Sequence, residues 1–192
     1  MKTMTSRTCQ FLRRFGRDRR GASAIEFALI APLMLGLYIG CVEISDGVAA
    51  DRKVTLTAGA LANLTAQVTT ISTVDMDNIF AASTAIMSPY TGPLSAKVSC
   101  LKINGAGAVT VQWGTATTGT TPRAHGDTII IPSDLAVPNS YLVLSEVSYT
   151  YVPVTGFSPG FSHIAATGIT LSDKMFMSPR IQPPSYTTTL CN

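Results

Sequence analysis

Polar and hydrophobic residues divide the chain into a basic start, a long apolar run and a mixed remainder. Basic side chains of the start end at Arg20, and no charged residue occurs between Phe27 and Val42. Residues 22–42 would form a helix about 30 Å long at 1.5 Å per residue, close to the hydrocarbon thickness of a bilayer. The pattern predicts a transmembrane helix over 22–43, preceded by a leader over 1–21.

Beyond the apolar run, charged residues mark the return to water while a helical pattern continues. Apolar side chains recur at helical spacing and form one stripe, which predicts a helix extending to about residue 70 and packed against the protein's own sheet. The residues of this stripe are Val54, Leu61, Leu64, Val68 and Ile71.

A second, shorter helix is predicted from about 74 to 87. Ser72 and Asp75 have the spacing of a capping box, with Asp in place of the more usual Glu. The helix should end before Pro89, since the residue preceding a proline avoids helical backbone angles. Its core-facing residues are expected to be Phe80, Ala82 and Ile86.

The pattern then changes to period two with many β-branched residues, which is typical of strands. Strands are predicted at about 94–103, 109–114, 142–152 and 168–177. A hairpin turn at 104–107 joins the first two strands, and a short extended piece covers 128–131.

The remaining segments are rich in turn residues. The Thr- and Gly-rich stretch 115–126 is predicted to be a mobile loop, and 154–162 a second loop. The tail from 178 contains three prolines and should cross the surface in extended form. The predicted fold class is α+β, with a long N-terminal transmembrane helix, a short second helix and then a small antiparallel sheet.

Charge distribution predicts how the chain is oriented. The leader contains seven basic residues and one acidic residue, Asp18, and therefore has a net charge of +6. Since the whole chain has a net charge of +3, residues 22–192 have a net charge of −3. Because Arg and Lys stay on the cytoplasmic side, the body should lie outside, in the periplasm of a Gram-negative cell. We expect a helical extension and second helix over 44–88 and an extracytoplasmic β domain with extended tail over 89–192, without the basic patch that nucleic-acid binding needs.

The start of the apolar run carries a recognisable motif. Gly21, followed five residues later by Glu26-Phe27, resembles a class III prepilin signal, and residues 20–32, Arg-Gly-Ala-Ser-Ala-Ile-Glu-Phe-Ala-Leu-Ile-Ala-Pro, resemble the TadE/TadG-like pseudopilins of Tad (Flp-type) pilus systems. Looser similarity extends to the helix at 52–64, the strand at 146–151 and the C-terminal cysteine.

The resemblance implies a pilin-like layout and a minor pilin's role in assembling an adhesive pilus. It implies cleavage between Gly21 and Ala22 by a prepilin peptidase. The other implied partners are further pseudopilins and the inner-membrane assembly platform, with no small-molecule substrate.

Glu26 is the leading candidate for a role in assembly, together with Phe27. An ionised carboxylate in hydrocarbon costs a few kcal/mol, so it usually has a partner or a function. Cleavage after Gly21 would create a cationic amino group on Ala22, and Glu26 could pair with that charge in its own helix or in a neighbouring subunit. In the alternative interpretation, Glu26 simply extends to water at the cytoplasmic interface.

Four cysteines occupy three parts of the chain. Cys9 lies in the leader and Cys41 near the outer end of the apolar run, which leaves Cys100 and Cys191 in the body. Since the outer compartment is oxidising, these two are expected to form a disulfide. None of the four has metal-ligand spacing, and neither a metal nor another cofactor is expected.

Catalytic patterns are weak. Gly156-Phe157-Ser158-Pro159-Gly160 matches a nucleophile elbow, but Pro159 has no N–H to donate to an oxyanion hole. No sequence pattern associates His125 or His163 with a nucleophile and an orienting acid, as a catalytic triad would need. We therefore expect a protein that is not an enzyme.

Two other hypotheses remain open at this stage. Val48-Ala49-Ala50 could be a signal-peptidase site that releases a secreted binding module beginning at Asp51. Alternatively, an uncleaved single-span protein could expose an envelope enzyme or sensor. The first residue of the mature chain distinguishes both from the predicted Ala22.

Overall fold

The computed structural model describes residues 20–153, 168–187, 189 and 191. Its elements confirm the predicted α+β layout. Most of the leader, the segment 154–162, Ser158 and His163 lie outside the described residues.

The helices are α1 (Arg20–Ala66) and α2 (Thr73–Met87), with a 3-10 turn at Ser133–Leu135. The strands are β1 (Thr70–Ile71), β2 (Leu94–Ile103), β3 (Val109–Ala116), β4 (Tyr141–Tyr151), β5 (Ile169–Met177) and β6 (Ser185–Tyr186).

Contacts divide the chain into two compact units, Met1–Ile44 and Ser45–Asn192. The second unit contains a four-stranded antiparallel sheet in the order β3-β2-β4-β5. The four strands that form it agree with the predicted strands to within two residues at either end. A separate parallel pair joins β1 to β6. The sequence did not predict this pair, because strands of two residues are too short to show an alternating pattern and β6 directly follows two prolines.

The core of the second unit lies between one face of the sheet and the two helices. The part of α1 that it buries is lined mainly by small residues at helical spacing, including Ala50, Val54, Ala58 and Leu61. The predicted stripe was correct at Val54 and Leu61 but wrong at Leu64 and Val68, each 39% exposed. The helix ends at Ala66 and not at about residue 70, so Ile71 is buried as part of β1 and not of the helix. Leu64 lies at the edge of the buried stripe, and Val68 follows the end of the helix.

Helix α2 begins at the predicted capping box. The Ser72 hydroxyl accepts the Asp75 N–H, and the Asp75 carboxylate accepts the Ser72 N–H at 3.0 Å. Phe80 is buried as expected, whereas Ala82 is exposed and Ile86 is only partly buried. The buried side chains lie four, three and four residues apart, which is one helix face: Met76, Phe80, Ser83 and Met87.

A β-bulge in β3 changes which face of the sheet its side chains occupy. Cys100 pairs with Trp113 but Leu101 pairs with Val111, so Gln112 is the extra residue. Trp113 consequently faces the helices, while Val111 joins a second, smaller core on the opposite face. Ile129 and Ile131 cover this second core, and Thr128 bridges to β3, so the predicted extended piece contributes to packing.

The segment 115–126 differs from the expected mobile loop. Its first two residues continue β3, and the Thr117 N–H then donates to the Ala96 carbonyl at 2.9 Å. The Thr117 hydroxyl accepts the Ala96 N–H, and Thr120 contacts Ser95 at 2.6 Å. Threonine hydroxyls therefore tie this polar segment to the edge of the sheet, an effect that composition alone does not reveal.

Candidate functional site

The candidate processing site lies at the beginning of α1. Gly21 is exposed, and a Cβ placed on it would meet nothing within 4 Å. The backbone of Ala22 belongs to the same first turn of helix. Of the predicted site residues, Gly21, Ala22, Glu26 and Phe27 thus share the first two turns of one helix.

Glu26 and Phe27 both project from α1 without covering the chain's own core. Glu26 is exposed, and no ion pair reaches it among the residues that the structure describes. Phe27 is 73% exposed, although its ring is large and apolar. Burial of such a ring normally stabilises a protein by about 1.5–3 kcal/mol, so contact of Phe27 with lipid or with another chain would be favourable.

The exposure of Phe27 is shared by most of the apolar run. From Ile25 to Val42, ten large hydrophobic side chains are exposed in the structure. This part of α1 lies in the 44-residue segment Ser23–Ala66, which is long and apolar enough to cross a membrane. One N-terminal helix of this kind indicates single-pass membrane anchoring. The exposed residues are Ile25, Phe27, Leu29, Ile30, Leu33, Met34, Leu35, Leu37, Tyr38 and Val42.

Pro32 lies inside this helix and has no N–H to donate to the preceding turn. The helix nevertheless continues through it. Within a membrane, the backbone groups left without partners by a proline are usually satisfied by neighbouring protein.

Cys100 and Cys191 form the disulfide expected from the sequence. Their Cα atoms lie 6.2 Å apart, and both residues are buried in the core of the second unit. The bond joins the second-last residue of the chain to β2 and closes a loop of 91 residues. Cys41 forms no disulfide, and Cys9 lies outside the described part of the chain.

The tail that this disulfide anchors is attached at several further points. The Arg180 N–H donates to the carbonyl of Ala66, the last residue of α1, at 3.0 Å. The Ser185 N–H donates to the Thr69 carbonyl, also at 3.0 Å. The tail therefore fastens the end of α1 to the sheet.

A charged cluster occupies the face of the sheet turned away from the helices. Arg123 donates from Nε and NH2 to the two oxygens of Glu146, at 2.6 and 2.8 Å, and Lys174 lies 3.2 Å from Glu146 Oε1. Burial of Glu146 opposes its ionisation, but hydrogen bonds and charges from Arg123 and Lys174 outweigh that effect and lower its pKa. The cluster holds segment 115–126 over the sheet beside an open groove of about 430 Å³.

A catalytic assembly is not visible among the described residues. The Nδ1 atom of His125 lies 2.8 Å from the carbonyl oxygen of Gln112, so this ring is engaged with backbone. No group of three or more metal-ligating side chains occurs in the described part of the chain.

Together these features define a class: an α+β protein with a single apolar N-terminal helix suited to anchoring in a membrane. Residues 21–62 match the family of TadE-like proteins, which confirms the resemblance found in the sequence. The match ends inside α1, so it covers the apolar helix and its extension but not the sheet. No curated protein and no solved structure matches the chain.

Proposed function

We propose that the protein is a non-enzymatic, membrane-anchored minor pilin, or pseudopilin, that contributes to assembly of a Tad-type adhesive pilus. The observation that carries this proposal is the TadE-like match over 21–62, a family associated with Tad pili. Within the matched segment, the apolar side chains of α1 from Ile25 to Val42 are exposed and are not covered by the other described residues. Such a surface suits contact with lipid in the membrane and with neighbouring subunits in a pilus.

Processing follows from the position of Gly21. This residue separates the basic leader from the apolar helix, so the bond to Ala22 would lie at the inner membrane surface, within reach of a membrane-embedded prepilin peptidase. The glycine is exposed and leaves open space around its backbone, which favours access by the enzyme. Cleavage would remove the leader and retain the whole transmembrane helix.

Glu26 would then act during transfer from lipid into the assembly. It lies four residues after the new amino-terminal charge of Ala22, about one helical turn away. Pairing between the carboxylate and an amino group, in the same chain or a neighbouring one, lowers the cost of a charge in a water-poor environment. The partners implied are prepilin peptidase, other pseudopilins and the assembly platform of the inner membrane.

The packing of α1 argues against release as a soluble module. A cut after Ala50 would fall within α1 and divide Ala50, a buried member of the core, from Val54 one turn later. It would also remove Asp46, whose carbonyl accepts a hydrogen bond from the Tyr90 hydroxyl at 3.1 Å. A secreted product beginning at Asp51 would therefore lose part of its own fold.

The decisive experiment is intact-mass measurement of the mature protein purified from cells with an active prepilin peptidase. We expect a chain beginning at Ala22, and we expect Gly21→Val to retain the leader. Gly47→Ala is the matched control, because it changes another glycine of α1 that lies outside the motif. A mature chain beginning at Asp51 would indicate secretion, and an uncleaved wild-type chain would indicate an ordinary single-span protein.

A further inference from the structure

We propose that the open groove beside the charged cluster binds a saccharide that carries a carboxylate, the chemistry of an oligomer of uronic acid. The groove has a volume of about 430 Å³ and lies over the face of the sheet turned away from the helices. The residues that line it all belong to the second unit. Binding there would need only that unit and would not require the role proposed in pilus assembly.

The floor of the groove consists of two rows of polar side chains that cross three neighbouring strands. In the first row, Lys97 of β2 pairs with Glu146 of β4, which pairs with Lys174 of β5. Residues two apart on a strand share one face of the sheet, so the second row lies beside the first at a distance of about 7 Å. The second row contains only serines: Ser95, Ser148 and Ser172.

Segment 119–121 forms one wall of the groove and is fastened to the sheet. The Thr120 hydroxyl lies 2.6 Å from the Ser95 hydroxyl. Further along the chain, a Cβ placed on Gly114 would lie 2.5 Å from the carbonyl oxygen of Arg123, so the segment passes directly over β3. Because this wall is already ordered, a ligand would not lose affinity by ordering it on binding.

The lining of the groove suits a polar ligand. Small-molecule sites of about 300–1,000 Å³ are usually lined mainly by apolar side chains. Here every lining residue except Gly119 and Val147 is polar or charged, and five of them carry a hydroxyl group, which can both donate and accept a hydrogen bond. The hydroxyls of Ser148 and Ser172 have no hydrogen-bond partner within the described part of the chain. They are therefore available to a ligand that is itself rich in hydroxyl groups.

Charge around the groove favours a single carboxylate on that ligand. Arg123 and Lys174 both contact Glu146, so the two oxygens of this carboxylate already have partners. Lys97 forms no ion pair among the described residues, although it lies opposite Glu146 in the sheet. With Asp173, which also lines the groove, three cations exceed two anions by one charge. A carboxylate matches that excess better than a phosphate of charge about −1.5 to −2.

The positions of these groups assign a role to each row. The ammonium group of Lys97 has three donors and is placed to bind the carboxylate. The serine row, about 7 Å away, is placed to contact hydroxyl groups of the same ligand. A carboxylate held at a fixed distance from several hydroxyl groups is the arrangement that uronic acid rings provide.

The test measures the fluorescence anisotropy of a tagged galacturonic acid trisaccharide mixed with the full chain in neutral detergent at low salt. We expect saturable binding that weakens when salt is added, since the groove is open to solvent and its charges are screened. A tagged galactose trisaccharide is the matched ligand, because it has the hydroxyl groups without the carboxylates. It should bind about tenfold more weakly, as expected for loss of a hydrogen bond to a charged group.

Two substitutions test the two rows separately. Lys97→Gln should weaken binding of the galacturonic acid trisaccharide about tenfold, and Ser172→Ala about threefold. Lys102→Gln is the matched control, since it makes the same change of charge on β2 outside the groove, where the ammonium group lies 5.8 Å from the Tyr141 ring centroid. It should bind as wild type does. Circular dichroism during heating checks that each variant is folded.

Equal binding of the two trisaccharides, or unchanged binding by Lys97→Gln, would overturn the proposal. Inorganic phosphate that displaces the trisaccharide as effectively as galacturonate does would show a general anion site and would overturn the saccharide assignment. Unchanged binding by a Ser148→Ala, Ser172→Ala double variant would overturn it as well. None of these results depends on where the mature chain begins, so the proposed function is tested separately.

Discussion

The indole N–H of Trp113 donates to the carbonyl oxygen of Pro184 at 2.7 Å, across 71 residues of sequence. The same indole stacks on Tyr186, with ring centroids 5.3 Å apart. One side chain of β3 thus satisfies a tail carbonyl and packs against a tail ring. The β-bulge at Gln112 is what turns Trp113 toward the tail.

Replacing Trp113 by Phe should test how strongly this contact holds the tail. The substitution leaves the Pro184 carbonyl without its donor and removes part of a buried ring, so we expect the free energy of unfolding to fall by about 1–3 kcal/mol. Far-UV circular dichroism during denaturant unfolding measures the change without relying on tryptophan fluorescence. Tyr141→Phe is the control, since no hydrogen bond to that hydroxyl occurs among the described residues, and it should cost much less. Equal effects of the two substitutions would contradict the role given to the Trp113 hydrogen bond.

The disulfide should be a major contributor to stability because of the loop it closes. For 91 residues, the chain-entropy model gives about 4–5 kcal/mol, and native disulfides removed from small domains typically cost about 2–5 kcal/mol. Thiol labelling of the denatured, unreduced protein should miss Cys100 and Cys191. Cys191→Ser should then lower the unfolding midpoint strongly, whereas Cys41→Ser should change it little. Labelling of both body cysteines in the unreduced chain would refute the bond.

Glu146 should make stability depend on acidity. Its pKa is lowered in the folded state, because donors from Arg123 and Lys174 outweigh the effect of burial. The carboxylate therefore stabilises the fold above its unfolded pKa, near 4.3, and this contribution is lost as pH falls through the folded value.

Glu146→Gln is the corresponding substitution, at a side chain only 14% exposed. At pH 7 it should lower the free energy of unfolding by about 1–3 kcal/mol. The difference from wild type should begin to shrink as pH falls below the unfolded pKa near 4.3, and it should vanish only once pH falls below the lowered pKa of the folded state. Urea unfolding at both pH values measures this, with the exposed Asp77→Asn as control. A difference that stays constant with pH would exclude the carboxylate charge as the cause.

Local patterns in the sequence predict much of this fold, and long-range contacts account for most of what they miss. The capping box at Ser72 and Asp75 is complete within four residues, so the start of α2 follows from the sequence. Leu64 satisfies the helical period as well as Leu61 does, yet only the position of the sheet decides which one is buried. The Trp113–Pro184 hydrogen bond has no local signal.

The residues of the candidate site also fall into two groups, those that a local sequence pattern identifies and those that only the fold brings together. Gly21 and Glu26 belong to one short motif, so the sequence identifies them without the fold. The charged cluster is different, because Arg123, Glu146 and Lys174 come from three distant segments. Nothing in the spacing of those residues indicates that they meet.

Topology provides the next prediction. If the leader is cytoplasmic and the domain lies outside, protease added to spheroplasts should digest residues after about 44. The disulfide and its attached tail should leave fragments joined by Cys100 and Cys191 until a reductant is added. A domain fully protected from protease would place it in the cytoplasm and would contradict both the orientation and the oxidising environment.

The last prediction concerns Glu26, the residue that distinguishes assembly from simple anchoring. Glu26→Ala removes a carboxylate from an otherwise apolar helix, so membrane insertion should be at least as favourable as in wild type. If the carboxylate pairs with the amino group of Ala22 during assembly, the same substitution should greatly reduce piliation. Carbonate extraction measures insertion, and electron microscopy of cells measures piliation.

Two variants make this test specific. Glu26→Asp keeps the charge and should retain more piliation than Glu26→Ala, whereas Ser23→Ala, at another exposed position of the same two turns, should behave as wild type. Normal piliation with Glu26→Ala would show that the carboxylate only reaches water at the membrane interface. Reduced piliation together with failed insertion would assign Glu26 to anchoring, not to contacts between subunits.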